Sequence, residues 1–136
     1  MQAFDGFIAA IASELKIPFR KKAEGQYTAN VEFDNNRHQD VLVAIDNDEA
    51  GDKILRYYAL IGKVNTEDKN IYKKALLVNA KLDYGSIALI ENSLVLCNSM
   101  VLKDCECDPE SFIKSLFYSA AKADELEELF MGTDLH

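Results

Sequence analysis

The chain has 136 residues, of which 49% are hydrophobic and 28% charged, and its formal net charge is −8 at pH 7. This length and composition predict one globular domain over residues 1–136. The negative charge repels phosphates and predicts no binding to nucleic acid. No segment reaches the ~20 apolar residues that cross a bilayer, so we expect no membrane partner. Three cysteines without a secretion signal predict reduced thiols and a cytoplasmic protein.

The first half of the chain predicts one helix and three strands. Apolar residues recur at spacings of three and four over residues 4–15, which is typical of an amphipathic helix, and Pro18 ends it. The period then changes to two in residues 27–33, which predicts a strand with one apolar face. Residues 40–45 and 54–62 are apolar on both faces and are predicted as the second and third strands.

The second half predicts a helix, a hairpin and a closing helix. Residues 67–82 carry an apolar stripe at helical spacing, and the apolar runs 86–90 and 94–102 flank a short turn. Pro109 behind a capping Asp starts the last helix, which is expected to continue to about residue 130. Strands joined by short turns pair antiparallel. The predicted fold is therefore α+β, a five-stranded antiparallel sheet with three helices in the order α-β-β-β-α-β-β-α.

Four of the predicted strands are apolar on both sides, yet three helices from one chain cover only one sheet face well. The second face must therefore meet either the middle helix or another protein. If no helix covers it, the remaining patch exceeds what monomers usually expose.

The acidic run Asp46–Gly51 resembles the start of a calcium loop. An EF-hand needs Asp or Asn where Ala50 stands and a bidentate Glu where Tyr57 stands, and its flanking segments are helices. Two required ligands are missing, and the flanking segments here are predicted strands. The pattern therefore favours an acidic hairpin turn.

The cysteines do not form a metal motif. Cys105 and Cys107 lie close together, with Cys97 nearby, but zinc sites normally have four ligands at C-x₂₋₄-C spacing. The two histidines, His38 and His136, fall in a predicted loop and at the terminus. We interpret Cys105 and Cys107 as part of an exposed turn, and we expect no metal and no cofactor.

Catalytic motifs are absent from the sequence as well. There is no G-x-S-x-G, no glycine-rich phosphate loop and no H-E-x-x-H. Carboxylate pairs such as Glu127 and Glu128 fall on the outer face of a predicted helix. We predict no catalytic residue, and a small enzyme that uses Asp and Glu alone remains the third alternative for function.

The order of elements, at this length and acidity, resembles the type III secretion chaperone-like fold. Two groups share that fold, the class I secretion chaperones of the CesT and SycE types and the YbjN-like proteins. FIKSLFYSAAKADELEELF resembles the closing helix of the family. ALLVNAKLDYGSIALIENSLVL resembles its pattern of leucines, an Asn, a Gly, a small-to-apolar strand, a short turn and L-V-L. The matching positions are Leu76, Leu77, Asn79, Gly85, Ile87, Leu89, Leu94 and Leu96.

The resemblance implies a non-enzymatic bacterial protein that forms a homodimer and holds a protein client on apolar surface. We expect the twin subunit to meet an apolar set on the middle helix and the hairpin, Ile71, Ala75, Val78, Leu94 and Leu96. We assign the client patch to Phe19, Tyr27, Ala29, Val31 and Phe33. The alternative is a YbjN-like regulatory protein without a secreted client, which the lack of Trp and the run Ala123–Leu126 favour.

Overall fold

A computed structural model of the chain describes residues 2–33, 36–102 and 108–131. Three helices and six strands make up the described part. They follow in the order α1 (Gln2–Leu15), β1 (Phe19–Ala23), β2 (Gln26–Glu32), β3 (His38–Asn47), β4 (Lys53–Lys63), α2 (Lys69–Asn79), β5 (Ser86–Ile90), β6 (Ser93–Val101) and α3 (Pro109–Met131). None of the described helices is long and apolar enough to span a membrane.

The strands form one antiparallel sheet in the order β1-β2-β3-β4-β6-β5. The pairing of β4 with β6 shifts register between Leu60 and Gly62, so a bulge lies at this point of β4. The side chain of Gln39, which is buried in β3, donates from Nε2 to the Leu60 carbonyl oxygen over 2.7 Å. This hydrogen bond satisfies a main-chain acceptor beside the bulge.

The fold is α+β with three helices, but the prediction of five strands was wrong, because the sheet has six. The missed strand is β1, whose sequence FRKKA neither alternates nor contains an apolar residue between Phe19 and Ala23. All of its residues after Phe19 are exposed. Charged residues, lysine above all, are common on edge strands because they discourage pairing with other chains. A polar edge strand of this kind carries almost no hydrophobic signal.

The hydrophobic core lies on one face of the sheet, beneath α1 and α3. Phe112 of α3 is its aromatic centre, with ring centroids 5.2 Å from Phe7, 6.4 Å from Phe19 and 5.8 Å from Tyr57. Alternate residues of the central strands point into this core. They are Tyr27, Ala29 and Val31 in β2, Val41 and Val43 in β3, and Leu55, Tyr57, Ala59 and Ile61 in β4.

Helix α2 joins the same core at the β5 end of the sheet. Asp68 caps its N-terminus, since the carboxylate accepts a hydrogen bond of 3.0 Å from the Asn70 N–H. Ala75 is buried against the core. At the end of the helix, Asn79 accepts from the Ile87 N–H at 2.7 Å and donates to the Ile87 carbonyl at 3.3 Å. One amide therefore fixes α2 to the outer edge of β5.

Candidate functional site

The side of the sheet opposite the core, which we call the open face, carries a row of side chains set by the strand register. Thr28 pairs with Leu42, Leu42 with Tyr58, and Tyr58 with Cys97, so these four lie side by side across β2, β3, β4 and β6. In the next row, Leu60 pairs with Val95. Residues that alternate with core-facing positions must point to the other face. None of these side chains belongs to the core cluster.

A groove of about 500 Å³ crosses the open face. Its apolar part is formed by Leu42, Tyr58, Leu60, Ile90 and Val95. Leu60 is 53% exposed and Ile90 44% exposed, so the floor and far end of this groove present apolar surface to solvent. The helices in the described part of the chain all pack into the core on the opposite side. We call this feature the open-face groove.

The β1 end of the open-face groove is basic. Arg20 and Lys22 line it, whereas Lys21 between them points to the helix side and lies 3.2 Å from an Asp5 oxygen and 3.5 Å from a Glu24 oxygen. Alternation along the strand separates the three cations in this way. Neither Arg20 nor Lys22 forms an ion pair with any residue in the described ranges. Two cations without an ion pair to any described residue therefore lie at one end of an apolar groove in an acidic chain.

A carboxylate also borders the groove, and it is already engaged. Asp40 Oδ1 accepts a hydrogen bond of 2.8 Å from Asn30 Nδ2, and the same amide nitrogen lies 3.1 Å from His38 Nδ1. Asn30 and Asp40 are direct partners across β2 and β3. The Asp40 side chain is thus held in place within the sheet face and does not neutralise the cations on β1 through an ion pair.

Two titratable groups on the open face have pKa values shifted by burial. Burial raises the pKa of the Tyr58 hydroxyl, and burial likewise raises the pKa of the Cys97 thiol. A raised thiol pKa reduces the thiolate fraction at neutral pH, which is the opposite of what a nucleophilic cysteine requires. No group of three or more His, Cys, Asp or Glu residues in the described ranges could hold a metal ion.

A second cavity of about 300 Å³ lies between α3 and β6. Tyr84 and Tyr118 meet there edge to face with ring centroids 5.2 Å apart. Lys114 Nζ donates to the Tyr84 hydroxyl at 3.3 Å and lies 5.3 Å from the centre of its ring. These contacts anchor the loop before β5 to α3 and engage Tyr84, Tyr118 and Lys114 with one another.

The residues predicted to meet a twin subunit lie inside the chain itself. Ala75, Leu94 and Leu96 are buried in the core, and Leu96 is 0% exposed. Ile71 and Val78 are partly buried and pack against the same core. Ala75, Leu94 and Leu96 leave almost no surface for a twin subunit, and the dimer interface through these five residues stays a prediction. The middle helix packs against the core at the hairpin, where Ala75, Leu94 and Leu96 are buried and Ile71 and Val78 are buried in part.

The predicted client patch has the same placement. Tyr27, Ala29 and Val31 are buried beneath α1 and α3, and Phe19 and Phe33 pack against the core from its margin. The apolar face that alternation predicts in β2 faces the chain's own helices, and the client patch stays a prediction. Leu60 and Ile90 are exposed apolar residues that line a groove, and no predicted site contains them. The sequence feature that could have indicated them is that both strands are apolar on both faces.

The acidic segment 46–51 contains the last two residues of β3 and most of the hairpin turn that leads to β4. Asp48 Oδ1 accepts hydrogen bonds from the Ala50 N–H at 2.9 Å and from the Asp52 N–H at 2.8 Å. These bonds occupy the carboxylate in shaping the turn. Cys105, Cys107 and His136 lie outside the described residues.

No protein-family model matches this chain, and no curated protein matches it significantly. Any functional conclusion therefore depends on the geometry of the chain itself. The groove offers apolar contact along a sheet face and two cations, Arg20 and Lys22, at one end. Asp40 also lines it, and its carboxylate accepts a hydrogen bond from Asn30. Such a site can bind a partner through apolar contact and complementary charge.

Proposed function

We propose that this protein is a non-enzymatic binding module that holds a partner protein on the open face of its sheet. The observation that carries the proposal is the open-face groove, where Leu60 and Ile90 remain exposed on a sheet face that no described helix covers. A contiguous apolar surface rimmed by polar groups marks interaction sites on soluble proteins. The net charge of −8 supports the proposal, since it keeps a protein with exposed apolar surface in solution.

The secretion-chaperone resemblance refines this proposal. A chaperone of that type would hold a secreted client, whereas a YbjN-like regulator would hold another partner. Homodimerisation and a cytoplasmic location belong to the same proposal. The free thiol of Cys97 supports a reducing compartment. A homodimer would need a surface other than Ala75, Leu94 and Leu96, which the core already contains.

Photo-crosslinking in the source cell tests the proposal. A photoreactive amino acid at position 60 is expected to give a discrete protein adduct, because Leu60 lies in the open-face groove. The matched control is position 76, since Leu76 is an exposed leucine on α2, away from the groove. Mass spectrometry identifies the adduct. If position 60 gives no discrete adduct, or the same adducts as position 76, the open face is not the binding site.

A further inference from the structure

The direction and length of the open-face groove limit what can occupy it. Its lining residues run from Arg20 and Lys22 on β1, across the central strands, to Ile90 at the end of β5. With neighbouring strands about 4.8 Å apart, a path from the first to the last of six strands is about 24 Å long. The occupant therefore crosses strands instead of extending the sheet at an edge.

An occupant of this path finds few main-chain partners beneath it. The central strands are paired on both sides, so their N–H and C=O groups bond within the sheet. An extended segment on this surface would press its own polar main chain against Leu42, Leu60 and Val95. Each buried group without a partner costs about 1–3 kcal/mol. A helix bonds its main chain internally and presents only side chains.

The charges at the groove indicate which end of the occupant is acidic. Arg20 and Lys22 stand two residues apart on one side of β1 and have no ion-pair partner in the described ranges, while Lys21 is paired. Asp40 is held by Asn30. Because the rest of the chain is strongly negative, these two cations are a local exception that attracts a negative group.

We propose that the open-face groove takes an amphipathic helix of a partner protein. The helix is about 16 residues long, since 24 Å of path divides by a rise of about 1.5 Å per residue. Its apolar stripe packs on Leu42, Leu60 and Val95, and an acidic terminal turn lies beside Arg20 and Lys22. This inference rests on the proposed function and specifies its partner.

Three fluorescent synthetic peptides of 16 residues test the conformation and the charge. The first places Leu at helical spacing with Glu in one terminal turn. The second has the same composition with Leu at alternate positions, and the third replaces Glu with Lys. We expect fluorescence anisotropy to show at least about tenfold tighter binding of the first peptide than of either other. Circular dichroism is expected to show a gain of helix when the first peptide binds.

Protein variants locate the binding. Leu60→Asp and, separately, Ile90→Asp are expected to abolish binding of the first peptide, because both residues line the groove and are exposed. The double variant Arg20→Glu, Lys22→Glu is expected to reverse the preference, so that the Lys peptide binds more tightly than the Glu peptide. The control is Lys69→Glu, Lys73→Glu on the exposed side of α2, which should leave the preference unchanged.

Each contrary result overturns a defined part of the inference. Equal binding of the first two peptides removes the helix, and undiminished binding to both Asp variants removes the groove. Displacement of the first peptide by palmitate at lower concentration assigns the groove to an amphiphilic lipid instead. A discrete crosslink from position 60 with equal peptide binding removes only the helix and leaves the proposed function standing. Absence of both crosslink and peptide binding removes the two proposals together.

Discussion

Gly85 is required at its position for two separate reasons. Its backbone lies in the left-handed region at φ +73°, and an added Cβ would lie 2.4 Å from the Cys97 carbonyl oxygen. Gly51 has φ +89° but open space around it. We expect Gly85→Ala to lower the free energy of unfolding by about 3 kcal/mol and Gly51→Ala by about 1 kcal/mol. Urea denaturation of both variants measures the difference, and equal losses would show that the close contact costs nothing.

The Asp5–Tyr27 pair makes stability depend on pH at both extremes. The hydrogen bond that Tyr27 donates lowers the pKa of Asp5 from its ordinary 3.8, and Lys21 acts in the same direction. Burial, followed by this hydrogen bond, raises the pKa of Tyr27 above 10.0. The contribution of Asp5 is therefore present above 3.8 and lost as pH falls through its folded-state pKa. The contribution of Tyr27 is present below 10.0 and lost as pH rises through its folded-state pKa.

Tyr27→Phe should consequently cost most at neutral pH and least at either extreme. Denaturation with urea across the pH range measures this profile. Tyr72→Phe is the control, because the Tyr72 hydroxyl donates to the carbonyl of Thr66, an acceptor that does not ionise. Its cost should stay constant on the acid side. A Tyr27→Phe deficit that is equally large below the folded-state pKa of Asp5 would contradict the assignment.

At the scale of elements, the side chain of Asn79 adds two hydrogen bonds to the apolar contact between α2 and β5. Asn79 bonds both main-chain groups of Ile87. We expect Asn79→Ala to lower the free energy of unfolding by about 2 kcal/mol, because two hydrogen bonds are lost. The Ile87 amide proton should also exchange faster with solvent. Asn70→Ala, at an exposed site on the same helix, should change stability by less than about 0.5 kcal/mol. An unchanged exchange rate at the Ile87 amide would mean that Asn79 does not protect the edge of β5.

How far the sequence predicts each element depends on how much apolar pattern the element carries. The three helices and β2 are amphipathic, so their periods indicate them directly. The polar strand β1 has no such pattern and was missed, and with it Arg20 and Lys22 at the groove. For β3, β4 and β6 the sequence showed apolar residues on both faces. It could not show which face the helices would cover, because that depends on tertiary packing and not on local period. For this reason, only the folded structure shows that Leu60 is exposed in a groove.

For the molecule as a whole, the burial of the hairpin predicts that stability resides in the single chain. Leu96 is fully buried in its own core, so Leu96→Ala should lower the free energy of unfolding by about 2–5 kcal/mol. The loss should be the same at low and high protein concentration, whereas an interface residue would give a concentration-dependent melting temperature. Leu77→Ala, at an exposed leucine, is the control and should change stability by less than about 0.5 kcal/mol. If the melting temperature depends on protein concentration and Leu96→Ala removes that dependence, Leu96 belongs to an interface between subunits.

The two edge strands of the sheet, β1 and β5, differ in how far their main-chain groups are already bonded. This difference affects how molecules can pair through their sheet edges. On β5, Asn79 occupies the main-chain groups of Ile87 that would accept a further strand. On β1 the main chain is at the edge of the sheet, and its exposed side chains are mostly cationic. A fibre grows only if each molecule offers two edges. Pairing through β1 would join two molecules and end there, whereas a strand that paired along β5 would first have to displace Asn79 from Ile87.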